Sequence, residues 1–132
     1  MQPTLSIQLD GRGSRQYNPG ETLAGSYRFD FFENEEIEAV EVSVLWSTEG
    51  KGTDDIGVHA FWRYATTSGD WIDPRRHGRF STTLPKSPLS YPGVLIKIRW
   101  CVRVRVFLAH GQQIMEETPF RLGNIPDVRT LK

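Results

Sequence analysis

The chain has 132 residues, 38% of them hydrophobic and 24% charged, and its 16 basic and 16 acidic residues cancel. That length supports one hydrophobic core without disulfides or a structural metal. A balanced charge excludes a global field for nucleic acid or an anionic membrane, so any electrostatic function has to be local.

The opening residues, MQPTLSIQLDGRG, have no basic region followed by an apolar run, and no stretch of the chain approaches the ~18 apolar residues of a membrane span. Thr4 to Leu9 alternates weakly, with Leu5, Ile7 and Leu9 on one side. Asp10 to Gly20 is rich in turn residues and ends on Tyr17-Asn18-Pro19-Gly20, where proline and glycine supply the φ values of a tight turn. From Leu23 to Phe31 the chain alternates as a half-buried strand, and the acidic knot Glu33 to Glu36 turns it. IEAVEVSVLWS then reads as a strand with Val40, Val42, Val44 and Trp46 facing one way.

Thr48 to Asp55 is a polar connection. It lacks the spacing of a phosphate-binding loop and of an EF-hand, so a hairpin loop is the first reading and calcium coordination by Glu49, Asp54 and Asp55 the second. Gly57 to Tyr64 carries Val58, Ala60, Trp62 and Tyr64 on alternate positions, with His59, Phe61 and Arg63 opposite. Ala65 to Gly78 is irregular, and Phe80, Thr82 and Leu84 restart the alternation.

The longest pattern follows a proline-punctuated loop. Ile96, Ile98, Trp100, Val102, Val104 and Val106 fall on one face, and Lys97, Arg99, Cys101, Arg103 and Arg105 on the other, because successive strand side chains point to opposite sides. Ala109-His110-Gly111 makes a hairpin turn into Gln112 to Leu122, which offers Ile114, Thr118, Phe120 and Leu122 to the core. About seven strands and no helix predict an all-β fold, a two-sheet antiparallel immunoglobulin-like sandwich over residues 1–122, with residues 123–132 as a loosely held tail. The single cysteine, Cys101, excludes an internal disulfide framework and places the protein in a reducing compartment, the cytoplasm.

Several pieces together resemble the amino-terminal lobe of the arrestin-like family. They are Tyr17-Asn18-Pro19-Gly20-Glu21 followed by Leu23 and Gly25, the strand Val40 to Trp46, Phe80 to Pro85 as F-x-x-x-L-P, Pro88-Leu89-Ser90-Tyr91-Pro92-Gly93, and the strand Ile96 to Val106. The likeness covers most of the chain. It implies an arrestin-like sandwich acting as a scaffold or adaptor for protein segments rather than as an enzyme. Phosphate sensing is not carried over, since the first strand here has no lysines, and this chain ends near where a second lobe would begin.

Three features are candidate sites. The stripe Lys97, Arg99, Arg103 and Arg105 can line up against an acidic or phosphorylated protein segment; alternatively Glu38, Glu41, Glu116 and Glu117 on neighbouring strands neutralise it. Cys101 between Arg99 and Arg103 is either inert or a lowered-pKa thiol. Trp71, flanked by Arg75 and Arg76, is either a binding anchor offered from a loop or a cap on one end of the sandwich. No catalytic, cofactor or metal site is legible, and the three histidines are spaced without a local ligand pair. The expected function is therefore a protein-interaction module using a strand edge, the basic face or the Trp71 loop. Open sheet edges also allow homo-oligomers. A sandwich that binds carbohydrate or a small ligand through Trp62 or Trp71 is the alternative.

Overall fold

A computed structural model describes residues 2–11, 13, 15–33, 35–50 and 54–126. The antiparallel two-sheet sandwich expected from the alternation is present, with no α-helix among the described residues. The smaller sheet has the order β1 (Thr4–Leu9), β3 (Thr22–Asp30) and β6 (Gly78–Thr83). The larger follows β2 (Gln16–Tyr17), β9 (Gln113–Leu122), β8 (Ile96–Leu108), β4 (Ile37–Gly50) and β5 (Ile56–Ala65), with β7 (Tyr91–Pro92) added to the start of β8. One 3-10 turn, Thr66–Ser68, follows β5.

β4 and β8 form the spine, paired from Ile37 opposite Leu108 to Gly50 opposite Ile96. Val40, Val42 and Val44 on β4 and Trp100, Val102, Val104 and Val106 on β8 are buried together between the sheets. Leu23, Tyr27 and Phe80 close over them from the smaller sheet. The strict alternation of β8 thus reflects one dry face and one wet one. Ile96, expected on the dry face, lies beyond the reach of the second sheet and is exposed.

The turn motifs do structural work that is visible in their contacts. The Gly20 amide donates to Leu84 O at 3.0 Å and the Leu84 amide to Glu21 O at 2.9 Å, joining the Tyr17–Glu21 turn to the F-x-x-x-L-P segment. The Pro88–Ser90 loop is fixed from two sides. Trp100 Nε1 donates to Pro88 O at 2.8 Å, and Ser90 exchanges two 2.8 Å bonds with the backbone of Leu122. These bonds satisfy backbone groups where the chain crosses the end of the sandwich.

β5 departs from the sequence reading. Val44 lies opposite Ala60 but Leu45 lies opposite Val58, so His59 is an extra residue in this strand, a β-bulge. Beyond it the side chains exchange faces. Val58, expected inside with Ala60, Trp62 and Tyr64, points to the outer face with Ile56, Phe61 and Arg63. His59, expected outside, turns inward, where Nε2 donates to Thr83 O at 2.9 Å and sits 3.1 Å from Thr82 Oγ1 on β6. Gly57 has no side chain where Trp46 crosses β5: a Cβ there would stand 2.2 Å from the indole.

Candidate functional site

The 65–78 loop joins the edge of one sheet, β5, to the edge of the other, β6, and so lies across the open side of the sandwich. Ile72 packs against the core and anchors the loop, leaving its neighbour Trp71 84% exposed. Trp71 therefore does not cap the sandwich. It stands at the rim of a groove of about 280 Å3. Tyr27 and Phe29 of β3 and Tyr64 of β5 supply aromatic walls, and Arg76, His77 and Arg79 line the same groove. Burial, followed by the nearby Tyr64, pushes the Tyr27 phenol up to about 12, so it stays a neutral donor across the physiological range.

The loop's charges are organised around one carboxylate. Asp73 accepts from the backbone amide of Arg75 at 2.9 Å and from its Nε at 3.1 Å, and Arg76 Nε lies 3.9 Å away. The Arg75 hydrogen bonds hold the Asp73 carboxyl below its usual range. One carboxylate thus serves two guanidiniums, both of them exposed to solvent. On the far side of His77 a second groove, of about 370 Å3, is lined by Arg28, Phe31 and Arg75. Phe31 has φ +63, a left-handed conformation that a bulky residue adopts at a cost, and its ring is half exposed. Tyr27, Tyr64, His77 and Arg79 were not singled out in the sequence. They come from separate strands, and no local pattern joins them to Trp71.

Two of the four cations of the basic stripe are paired. Arg103 Nε donates to Glu117 Oε2 at 2.6 Å, and Arg99 Nη1 lies 3.5 Å from Glu49. Glu41, opposite Arg105, spends its carboxylate on Arg63 of β5. Arg63 also lies 5.6 Å from the Phe107 ring centre. The neutralising acids are only in part the expected ones. Glu116 shares the inward face with Val104, and an irregularity between Ile37 and Ala39 takes Glu38 out of the row. Among the described residues, Lys97 and Arg105 have no carboxylate within ion-pair distance. The structure does not bring the stripe and the Trp71 loop together: Lys97 and Arg99 line a different groove, beside Tyr91 and Arg121.

Cys101 is not an activated thiol. Burial first, then the Glu117 carboxylate 3.9 Å from Sγ, push it up to about 11 against the weaker pull of Arg103. The thiol therefore stays protonated at pH 8, and thiolate accumulates only as the pH climbs toward 11. Ellman's reagent at pH 8 is expected to react with the native chain far more slowly than with the urea-unfolded one. Equal rates would contradict that assignment. Among the described residues no three His, Cys, Asp or Glu side chains gather in a way that could hold a metal ion. Glu49 and Asp55 instead belong to a hairpin, closed where the Thr48 amide donates to Asp55 O at 2.9 Å; Lys51, Gly52 and Thr53 lie outside the described residues. No helix among the described residues is long and apolar enough to cross a membrane.

The class defined by this architecture is an all-β, antiparallel two-sheet sandwich of immunoglobulin-like type. Solved structures with a similar fold include the following two. Spo0M, a sporulation control protein from Bacillus subtilis, superposes with a TM-score of 0.63 at 14% identity, over 94% of this chain and 50% of that one. The superoxide reductase (neelaredoxin) of Ignicoccus hospitalis superposes with a TM-score of 0.54 at 10% identity, over 91% of this chain and 80% of that one. The chain thus spans about half the length of Spo0M. At these identities the likeness concerns the fold alone. No family model matches the chain, and no characterised protein matches its sequence.

Proposed function

We propose that this chain is a non-catalytic protein-interaction module of arrestin-like type that holds an extended protein segment in the groove beside Trp71. One observation carries the reading: a tryptophan 84% exposed, on a loop fixed by Ile72, at the rim of an aromatic groove. Large aromatics with few rotatable bonds are effective anchors, because they contribute contact area at small entropic cost. Arg75 and Arg76, which share Asp73, favour a segment with carboxylates next to an apolar residue. The reading places the domain in the cytoplasm, where its lone thiol stays reduced. In it Lys97, Arg99, Arg103 and Arg105 play no direct part.

Selection from a random peptide display library tests this. Enriched peptides are expected to carry acidic and aromatic residues, to quench tryptophan fluorescence, and to bind Trp71→Ala at least tenfold more weakly at unchanged melting temperature. A library without enrichment, or peptides that bind Trp71→Ala equally well, would overturn the proposal. The carbohydrate alternative loses one of its two platforms, since Trp62 is half-buried with its ring 6.3 Å from that of Phe80. Trp71 remains open to a sugar, and a glycan array with Trp71→Ala as control distinguishes the two.

A further inference from the structure

The two ends of the larger sheet are treated differently. The β9 end is guarded: β2 pairs with Arg121 and Leu122, Pro119 removes a backbone donor, and the exposed carboxylates Glu116 and Glu117 stand on opposite faces of the strand. These are the usual devices against edge-to-edge pairing. The β5 end has no added strand among the described residues, and of such devices it carries only the His59 bulge and one cation, Arg63. Its ten residues, IGVHAFWRYA, contain no proline, lysine or carboxylate, and its outer face exposes Ile56 by 63%, Val58 by 57% and Phe61 by 52%. Beneath them Leu45, opposite Val58, is buried on that same outward face.

The bulge at His59 makes this strand complementary to itself. Outward residues are Ile56 and Val58 before the bulge and Phe61 and Arg63 after it, while inward ones are Gly57 before it and Ala60, Trp62 and Tyr64 after it. When a second copy is laid antiparallel, a pair is compatible with one continuous sheet only if both members point to the same face. Setting His59 against Ala60 of the second copy satisfies this along the whole strand. Val58 then meets Phe61, Ile56 meets Arg63, and Gly57 meets Trp62, each pair occurring twice about a two-fold axis. Sliding the second copy by one residue mismatches the faces of nearly every pair, and sliding it by two mismatches the pairs at the centre.

In this register two Val58–Phe61 pairs fill the centre, and Arg63, already paired with Glu41, lies toward each end. The bulge interrupts the ladder at the axis and leaves two short ladders on either side of it. From the exposed apolar outer face of this edge strand and its self-matching faces, we propose that the chain forms a symmetric homodimer through β5, with Val58 of each copy packed on Phe61 of the other. The second copy, rather than an unrelated strand, is the occupant because the match follows from this strand's own irregularity. It does not depend on the Trp71 groove.

Sedimentation equilibrium on the full chain is expected to show a concentration-dependent dimer. Phe61→Lys, an outward substitution, is expected to weaken it at least tenfold with near-ultraviolet circular dichroism unchanged. For the register, Val58→Cys/Phe61→Cys in a Cys101→Ser background is expected to oxidise to a covalent dimer, and Val58→Cys/Arg63→Cys, displaced by two residues, to do so far less. A monomer at millimolar concentration, a dimer indifferent to Phe61→Lys, or equal cross-linking by both cysteine pairs would each overturn the proposal.

Discussion

Replacing Trp100 by alanine is expected to cost about 3–5 kcal/mol, a large share of the 5–15 kcal/mol that holds a typical domain together. Trp100 is among the largest fully buried side chains, with its ring 5.8 Å from Phe120 and 6.2 Å from His59. It is more than filling. Its Nε1–H is the donor that fixes Pro88 O, so alanine both opens a cavity and releases the proline loop. With a urea dependence of roughly 2 kcal/mol/M, the midpoint falls by about 2 M. Trp100→Phe separates the contributions: it keeps most of the apolar volume, loses the donor, and is expected to cost less than alanine by at least half. A midpoint shift below about 0.5 M for alanine would mean that the loop and the core are not coupled through this residue.

Gly25 is the second position where a small change has a large effect. In the middle of a strand, alanine in place of glycine ordinarily helps by about 0.5–1 kcal/mol, because the unfolded chain loses freedom. At Gly25 the sign reverses. A Cβ there would lie 2.6 Å from Gln8 O, a backbone atom of the neighbouring strand β1, and 2.7 Å from the Phe80 ring. A side chain can swing aside, but a paired strand cannot without breaking its ladder. Gly25→Ala is therefore expected to destabilise by about 1–3 kcal/mol. Gly13→Ala, with nothing within 4 Å of its Cβ, is expected to be neutral or slightly stabilising. Adding Phe80→Leu to Gly25→Ala should not restore stability, since the obstruction by Gln8 O remains. Full rescue by the double substitution would locate the conflict in the core instead.

Much of the fold could be read from the sequence because burial imposes a period of two. β8 shows this best: its inner residues from Trp100 to Val106 are buried and its outer ones meet mostly water and ions, so the pattern survives intact. β5 shows the limit. Residues on both sides of the bulge are apolar, so a one-residue shift in facing leaves no break in the hydrophobic pattern, and Val58 was assigned to the wrong side. Register is likewise invisible in a single strand. Only the pairing of β4 with β8 puts Glu49 beside Arg99 and takes Glu38 out of reach.

Of the candidate site, Trp71, Arg75 and Arg76 were named from the sequence with anchor and cap both open, and it is the exposure of Trp71 in the fold that separates the two. The walls were not named, since Tyr27, Tyr64 and Arg79 meet through the folding of β3, β5 and β6 around one another. For Cys101 the sequence left an inert and an activated thiol both open, for a related reason. Two flanking arginines in sequence imply a cationic setting, but one of them is taken by Glu117, whose carboxylate also faces the thiol.

The guarded β9 edge bears on how large an assembly can become. Two copies joined through β5 would present β9, with its proline and glutamates, at both outer ends of the shared sheet. Only guarded strand edges of that sheet would remain to meet a third chain. Raising the concentration would then change the fraction of paired molecules without changing the size of the particle, which separates a finite complex from the start of a fibre.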